Sequence, residues 1–102
     1  MWIPSQVSIR SHHDGRFGGR VTAPNPACKD TRKVTVYRVI DGGPDQALGH
    51  DTTSANGQWS VEVSGFAGIS LARFYAKVKR RSEGTAGTIY VCRGDRSRTI
   101  GF

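Results

Sequence analysis

The residues of this chain with the chemistry to act as ligands, acids or nucleophiles are three histidines, eight acids and two cysteines. His12, His13 and Asp14 stand together, with His50 far away. Neighbouring side chains on a strand point to opposite faces, so the triplet reads as surface and no metal site is expected. Asp41 and Asp45 flank Gly42, Gly43 and Pro44. A calcium loop needs more oxygen ligands at closer alternation, so this stretch reads as a turn. Glu62 and Glu83 are the only glutamates, and Glu62 falls on the polar side of an alternating segment, away from any partner carboxylate. There is no Gly-x-Ser-x-Gly and no cysteine beside a base. The glycine-rich "GRFGGR", residues 15–20, does not lie between a strand and a helix, so it is not a phosphate loop. The expectation is a non-catalytic chain without a cofactor.

Cys28 and Cys92 cannot form a four-thiolate zinc site. Two readings are left, a disulfide and two free thiols. A domain of 102 residues buries a modest core. A bridge closing so long a loop would contribute about 4 kcal/mol, comparable to the net stability of a small domain. That favours the disulfide and, with it, an oxidising compartment.

Positive charge is the other chemical resource. Fifteen Lys and Arg against eight Asp and Glu leave +7, with Arg (11) well ahead of Lys (4). Such a balance suits nucleic acid, anionic lipid or anionic glycan. The densest run is Lys77, Lys79, Arg80 and Arg81. Tyr75, Lys77 and Lys79 share one face of a strand, and an aromatic among cations on an open sheet can hold a polyanion. The competing reading is a solvated sheet face whose lysines discourage edge pairing. One further motif, Arg93-Gly94-Asp95, matches the tripeptide of adhesive loops. It should sit at the tip of a hairpin between the strand ending at Cys92 and "SRTIGF". Gly94 and Asp95 also suit an ordinary turn, which is the preferred reading.

The elements that must position these residues are strands. Phe17, Gly19 and Val21 alternate with Arg16, Arg20 and Thr22. Val34 and Val36 alternate with Lys33, Thr35 and Tyr37. Trp59, Val61 and Val63 oppose Gln58, Ser60 and Glu62, and Phe74, Ala76 and Val78 oppose Tyr75, Lys77 and Lys79. The apolar members define the expected core, with Trp59 at its centre. Turn signals lie between: "APNPACKD", "DGGPD", "SANG", "SEGTAG" and "RGDR". In "SANG", Asn56-Gly57 suits the positive φ of a hairpin. Residues 64–72 are ambiguous between a crossover loop and a helical turn. Six or seven strands at spacings of roughly ten residues predict an antiparallel β-sandwich over 16–102. Residues 1–15 are expected as a flexible segment or one extra strand.

Taken in order, several pieces resemble a known group. They are Phe17-x-Gly19-x-Val21, Cys28 followed by Arg32 to Arg38, Thr53-x-x-x-Gly57-x-Trp59, Tyr75-Ala76-Lys77-Val78, and Cys92 with Asp95 and Ser97. Together they resemble the carboxypeptidase-regulatory-like or transthyretin-like sandwich domains of actinobacterial secreted proteins, within the wider immunoglobulin-like class. The resemblance implies a Cys28–Cys92 bridge, export, no catalysis, and service as a spacer or accessory module. Trp59 lies too far after Cys28 for the antibody-type topology. No apolar run reaches the roughly 18 residues of a membrane span. The N-terminus lacks an apolar signal core. An extracellular or cell-surface location therefore implies a piece of a longer exported protein. Its partners would be neighbouring domains or anionic polymers.

Overall fold

The computed structural model describes residues 2–12, 16–25, 28–63, 73–85 and 88–101. Twelve strands run through them: β1 (Trp2–Ile3), β2 (Gln6–Val7), β3 (Arg10–His12), β4 (Arg16–Thr22), β5 (Lys33–Arg38), β6 (Gln46–Thr52), β7 (Gln58–Glu62), β8 (Arg73–Val78), β9 (Arg81–Thr85), β10 (Thr88–Cys92), β11 (Asp95–Arg96) and β12 (Ile100–Gly101). The protein is an all-β sandwich, with no helix among the described residues.

One sheet takes the order β11-β8-β5-β6, with β12 also on β8. The other has β4 at its centre, with β2 and β3 along one side and β7 along the other. Their alternating patterns explain the packing. Val34, Val36, Phe74, Ala76 and Val78 come from the first sheet, and Val7, Ile9, Phe17, Val21, Trp59 and Val61 from the second. These are the side chains that period-two alternation places inside. The Phe17 and Phe74 rings meet at 5.1 Å between centroids, tilted by 49°.

The N-terminal segment is part of the fold. Ile3, Ser5, Val7 and Ile9 are all buried, alternating with exposed Pro4, Gln6 and Ser8. β2 and β3 keep one register on β4, with Val7 opposite Val21 and Arg10 opposite Gly18. Of the two expectations for residues 1–15, the strand is the one observed for 2–12. His13, Asp14 and Gly15 lie outside the described residues, as do residues 64–72.

Three expected turns take a different form. Residues 82–85 of "SEGTAG" belong to β9, which pairs with β10 from Thr85↔Thr88 to Arg81↔Cys92. β10 in turn pairs in parallel with β1, an exception to the antiparallel expectation. The resulting three-stranded sheet, β1-β10-β9, lies apart from the two sandwich sheets. "SANG" does turn on a positive φ, 79° at Gly57. However, it leads from β6 in one sheet to β7 in the other, so it is a corner between sheets and not a hairpin. A Cβ at Gly57 would lie 2.1 Å from the Val21 carbonyl oxygen, so any side chain there must displace β4.

The third correction concerns Arg93-Gly94-Asp95. The chain does not fold back from Cys92 onto itself. β11 and β12 both pair with β8, at Asp95↔Val78 and Ile100↔Phe74. The tripeptide is thus a crossing between two sheets.

Candidate functional site

Where the chain passes between sheets, the polar groups are bound to one another. Cys28 and Cys92 form a disulfide, with Cα atoms 5.3 Å apart and a separation of 64 residues. Both are fully buried, packed with Ile3 and Ala23. Beside them Arg32 is 1% exposed. Its guanidinium donates to Ser5 Oγ (3.0 Å), the Cys28 carbonyl (2.5 Å), the Lys79 carbonyl (2.9 Å) and the Arg93 carbonyl (3.0 Å). Lys79 leaves the sandwich and Arg93 returns to it, so one side chain clamps both crossings. Thr53 Oγ1 extends the network, accepting from Arg32 N and donating to the Lys29 carbonyl.

Arg93-Gly94-Asp95 is absorbed into this junction. Arg93 N donates to the Ile3 carbonyl at 2.9 Å. A Cβ at Gly94 would come within 3.0 Å of the Val78 carbonyl oxygen. Asp95 Oδ2 accepts from Val7 N at 2.8 Å, so the carboxylate that a receptor would need holds β2 to β11. The geometry is that of a bound crossing between sheets, in place of the hairpin turn expected from the sequence.

The other concentration of chemistry is the outer face of the five-stranded sheet. Tyr75, Lys77 and Lys79 do share this face, but they are not equivalent. Lys77 and Lys79 are exposed, whereas Tyr75 is only 6% exposed. Tyr37 from β5 stacks on the Tyr75 ring at 5.4 Å and 18°. The Arg96 guanidinium lies over the ring at 3.7 Å from its centroid. Tyr75 Oη donates to Asp45 Oδ2 at 2.6 Å, and Ile40 N donates to Asp45 Oδ1 at 3.1 Å. The tyrosine expected as an open platform is therefore the covered middle of a column. Of the other two expected cations, Arg80 is exposed, while Arg81 is half-buried and donates to the Thr31 carbonyl.

Electrostatics follow from these contacts. The Tyr75 hydroxyl, then the Ile40 N–H, holds the Asp45 carboxyl below its ordinary value of 3.8. Burial, then the bond to Asp45, raises the Tyr75 hydroxyl above 10.0. Both shifts move away from neutral pH.

The cations of this face sit in rows. Arg96 is opposite Lys77, Lys77 opposite Thr35, and Thr35 opposite His50. One step along, Lys79 N bonds the Lys33 carbonyl, which sets those two lysines side by side. Like charges directly across strands destabilise a sheet. The described ion pairs, Arg16–Glu62 and Arg73–Asp41, involve none of Lys33, Lys77, Lys79 or Arg96. Asp45 keeps its charge near Arg96 while it accepts from the Tyr75 hydroxyl, and Asp51 and Asp95 accept from Ser60 N and Val7 N.

Sequence reasoning named Tyr75, Lys77 and Lys79 but missed Lys33, Tyr37, Asp45 and Arg96. Parity could have placed Lys33 and Tyr37 on the face with Thr35. Arg96 depends on β11 joining β8, which no local pattern specifies. Among the described residues, no three His, Cys, Asp or Glu converge on a point where a metal ion could sit. No protein-family model matches the chain, and no curated protein is significantly similar to it.

Proposed function

We propose that this chain is a non-catalytic module of a secreted or cell-surface protein, an immunoglobulin-like or transthyretin-like sandwich acting as a structural or interaction unit. The observation that carries this reading is the buried Cys28–Cys92 bridge joining the third sheet to the sandwich. Bridges of this kind persist in oxidising compartments. Carboxylate use supports the same reading, because Asp45, Asp51 and Asp95 are all spent on internal hydrogen bonds. Acid–base catalysis near neutral pH calls for groups tuned toward that range, and Asp45 and Tyr75 are tuned away from it. The test is thiol trapping in the native host. Cells are quenched in acid, free thiols are alkylated, and the intact mass is measured. The expected result is no alkylation before reduction and two additions after it. Two alkylated thiols in the unreduced sample would sink the export reading.

A second reading, a polyanion-binding module, is favoured by the neighbouring cations Lys33, Lys77, Lys79 and Arg96 on one sheet face. Lys33→Glu with Lys77→Glu should abolish retention on a polyanion column at low salt, since surface charge contacts are screened and additive. Retention equal to the wild type would remove this reading.

A further inference from the structure

Resting on the polyanion reading, we infer that Arg96 is a pre-oriented fork for carboxylates, and that the sheet face around it docks an acidic polysaccharide. Arg96 is exposed, yet its guanidinium carbon sits over the Tyr75 ring, 3.7 Å from the centroid. That ring is fixed from behind by Tyr37 and from its hydroxyl end by Asp45. A guanidinium held over a ring keeps its edge donors directed outward, the geometry of bidentate oxyanion recognition. Fixing the fork beforehand removes much of the ordering cost that an exposed arginine otherwise bears on binding. Tyr75 and Asp45 are positioning residues in this arrangement.

The occupant follows from what surrounds the fork. Lys77 and Lys33 supply further charge at strand spacings of about 4.8 Å across and roughly 7 Å along the sheet. Thr35 adds a hydroxyl between them. The face offers strand backbone already committed to ladders, so there is no convergent set of free N–H groups to wrap a tetrahedral phosphate. Donors in one plane suit a planar carboxylate. Single-stranded nucleic acid is read by stacking bases on open aromatic faces. Here the Tyr75 ring is covered on both sides. An acidic peptide would have to order a flexible backbone on binding.

The experiment measures binding of polygalacturonate, its methyl-esterified form, polyglutamate and oligo-deoxythymidine to the intact chain at low salt. The variants are Arg96→Lys, Tyr75→Phe, Tyr75→Leu and the Lys33→Glu/Lys77→Glu pair, with melting followed for each. The expected result is tightest binding to polygalacturonate and loss on esterification. Arg96→Lys should weaken it about tenfold although the charge is kept, because the fork is replaced by a point charge. Tyr75→Phe keeps the ring but loses the Asp45 bond, so it should weaken binding by less than Tyr75→Leu, which should match Arg96→Lys. Equal binding of every polyanion with a silent Arg96→Lys would overturn the fork and leave the broader reading standing. Preference for oligo-deoxythymidine or polyglutamate would replace the polysaccharide. No binding to any probe would remove both.

Discussion

Two arginines of this small protein are used in opposite ways. Arg32 is buried at the junction of the sheets, with four bonds to four uncharged oxygens. Arg96 lies on the outer face, resting on a tyrosine. At the junction, a disulfide, a buried guanidinium and Asp95 hold the same few residues together, so their donors and acceptors are committed to the fold. On the face, the column of Tyr37, Tyr75 and Asp45 commits only enough to hold Arg96 still. A charged group serves architecture where its bonds are internal and recognition where they are left for a partner.

The largest expected effect comes from breaking the junction. Arg32→Met keeps volume and removes the donors. A buried acceptor left unmade costs about 1–3 kcal/mol, so four of them imply a loss of about 4 kcal/mol or more. Arg96→Met should change stability by no more than about 1 kcal/mol, the range of an exposed cation–π contact. Urea unfolding of the two variants measures the contrast directly. Equal losses would mean that the face is also structural.

Next comes the bridge. Cys28→Ala with Cys92→Ala should cost about 4 kcal/mol from loop entropy, with a lower denaturation midpoint. Cation contacts on the sheet face should survive wherever the protein remains folded, because Lys33, Lys77 and Arg96 hang from β5, β8 and β11. Loss of polyanion retention in a still-folded variant would show that the two regions are coupled.

The contrast also explains what could be read in advance. Strands half-buried between water and core announce themselves by period two, as Val34 and Val36 or Phe74, Ala76 and Val78 do. Trp59 and the core around it were legible for that reason. The same alternation runs through Ile3, Ser5, Val7 and Ile9, but Pro4 and a buried serine obscured it. β9 gave no signal, because "RSEGT" has no apolar side at all. Partnering was the harder matter. Parity says that Tyr75 faces away from Phe74, but not that Tyr37 and Arg96 from two other strands cover it. The crossing at Arg93-Gly94-Asp95 was misplaced because its composition is that of any tight turn. Its bonds to Ile3, Val7 and Arg32 come from segments about 60 to 90 positions away.

A smaller effect lies inside the junction, at Thr31. Its φ is 53°, the left-handed region that β-branched residues avoid. The conformation is imposed from both ends, by Thr31 N on the Thr53 carbonyl and by Arg81 on the Thr31 carbonyl. Thr31→Asn should therefore stabilise the protein by about 1 kcal/mol, since asparagine tolerates this region. The same exchange at Thr35, in the middle of β5, should instead destabilise, because asparagine is disfavoured in strands. Thermal melts of the two variants moving in the same direction would contradict the assignment of strain to Thr31.

The smallest effect is that of pH, and it should separate the regions most cleanly. Asp45 has its carboxyl lowered by the Tyr75 hydroxyl. In the unfolded chain it takes up a proton first as pH falls. The stability it contributes is thus present above about its ordinary value of 3.8 and is lost as pH falls through the lower folded value. Tyr75 runs the other way. Its hydroxyl is raised by burial, so its contribution is present below about 10.0 and is lost as pH rises through the raised value. Between those limits the column that supports Arg96 should be insensitive to pH. Comparing wild type with an Asp45 variant cancels the other carboxylates, Asp95 of the junction included. Asp45→Asn removes the acid-side titration and leaves Arg32 untouched. The stability gap between wild type and this variant should narrow from about pH 5 to about pH 3 and stay level from about pH 5 to about pH 8, outside the range of either shifted group. A gap that stayed level on the acid side too would mean that Asp45 does not hold the Tyr75 hydroxyl in solution. Arg96 would then rest on a ring free to turn, and the difference between the two arginines would be one of burial alone.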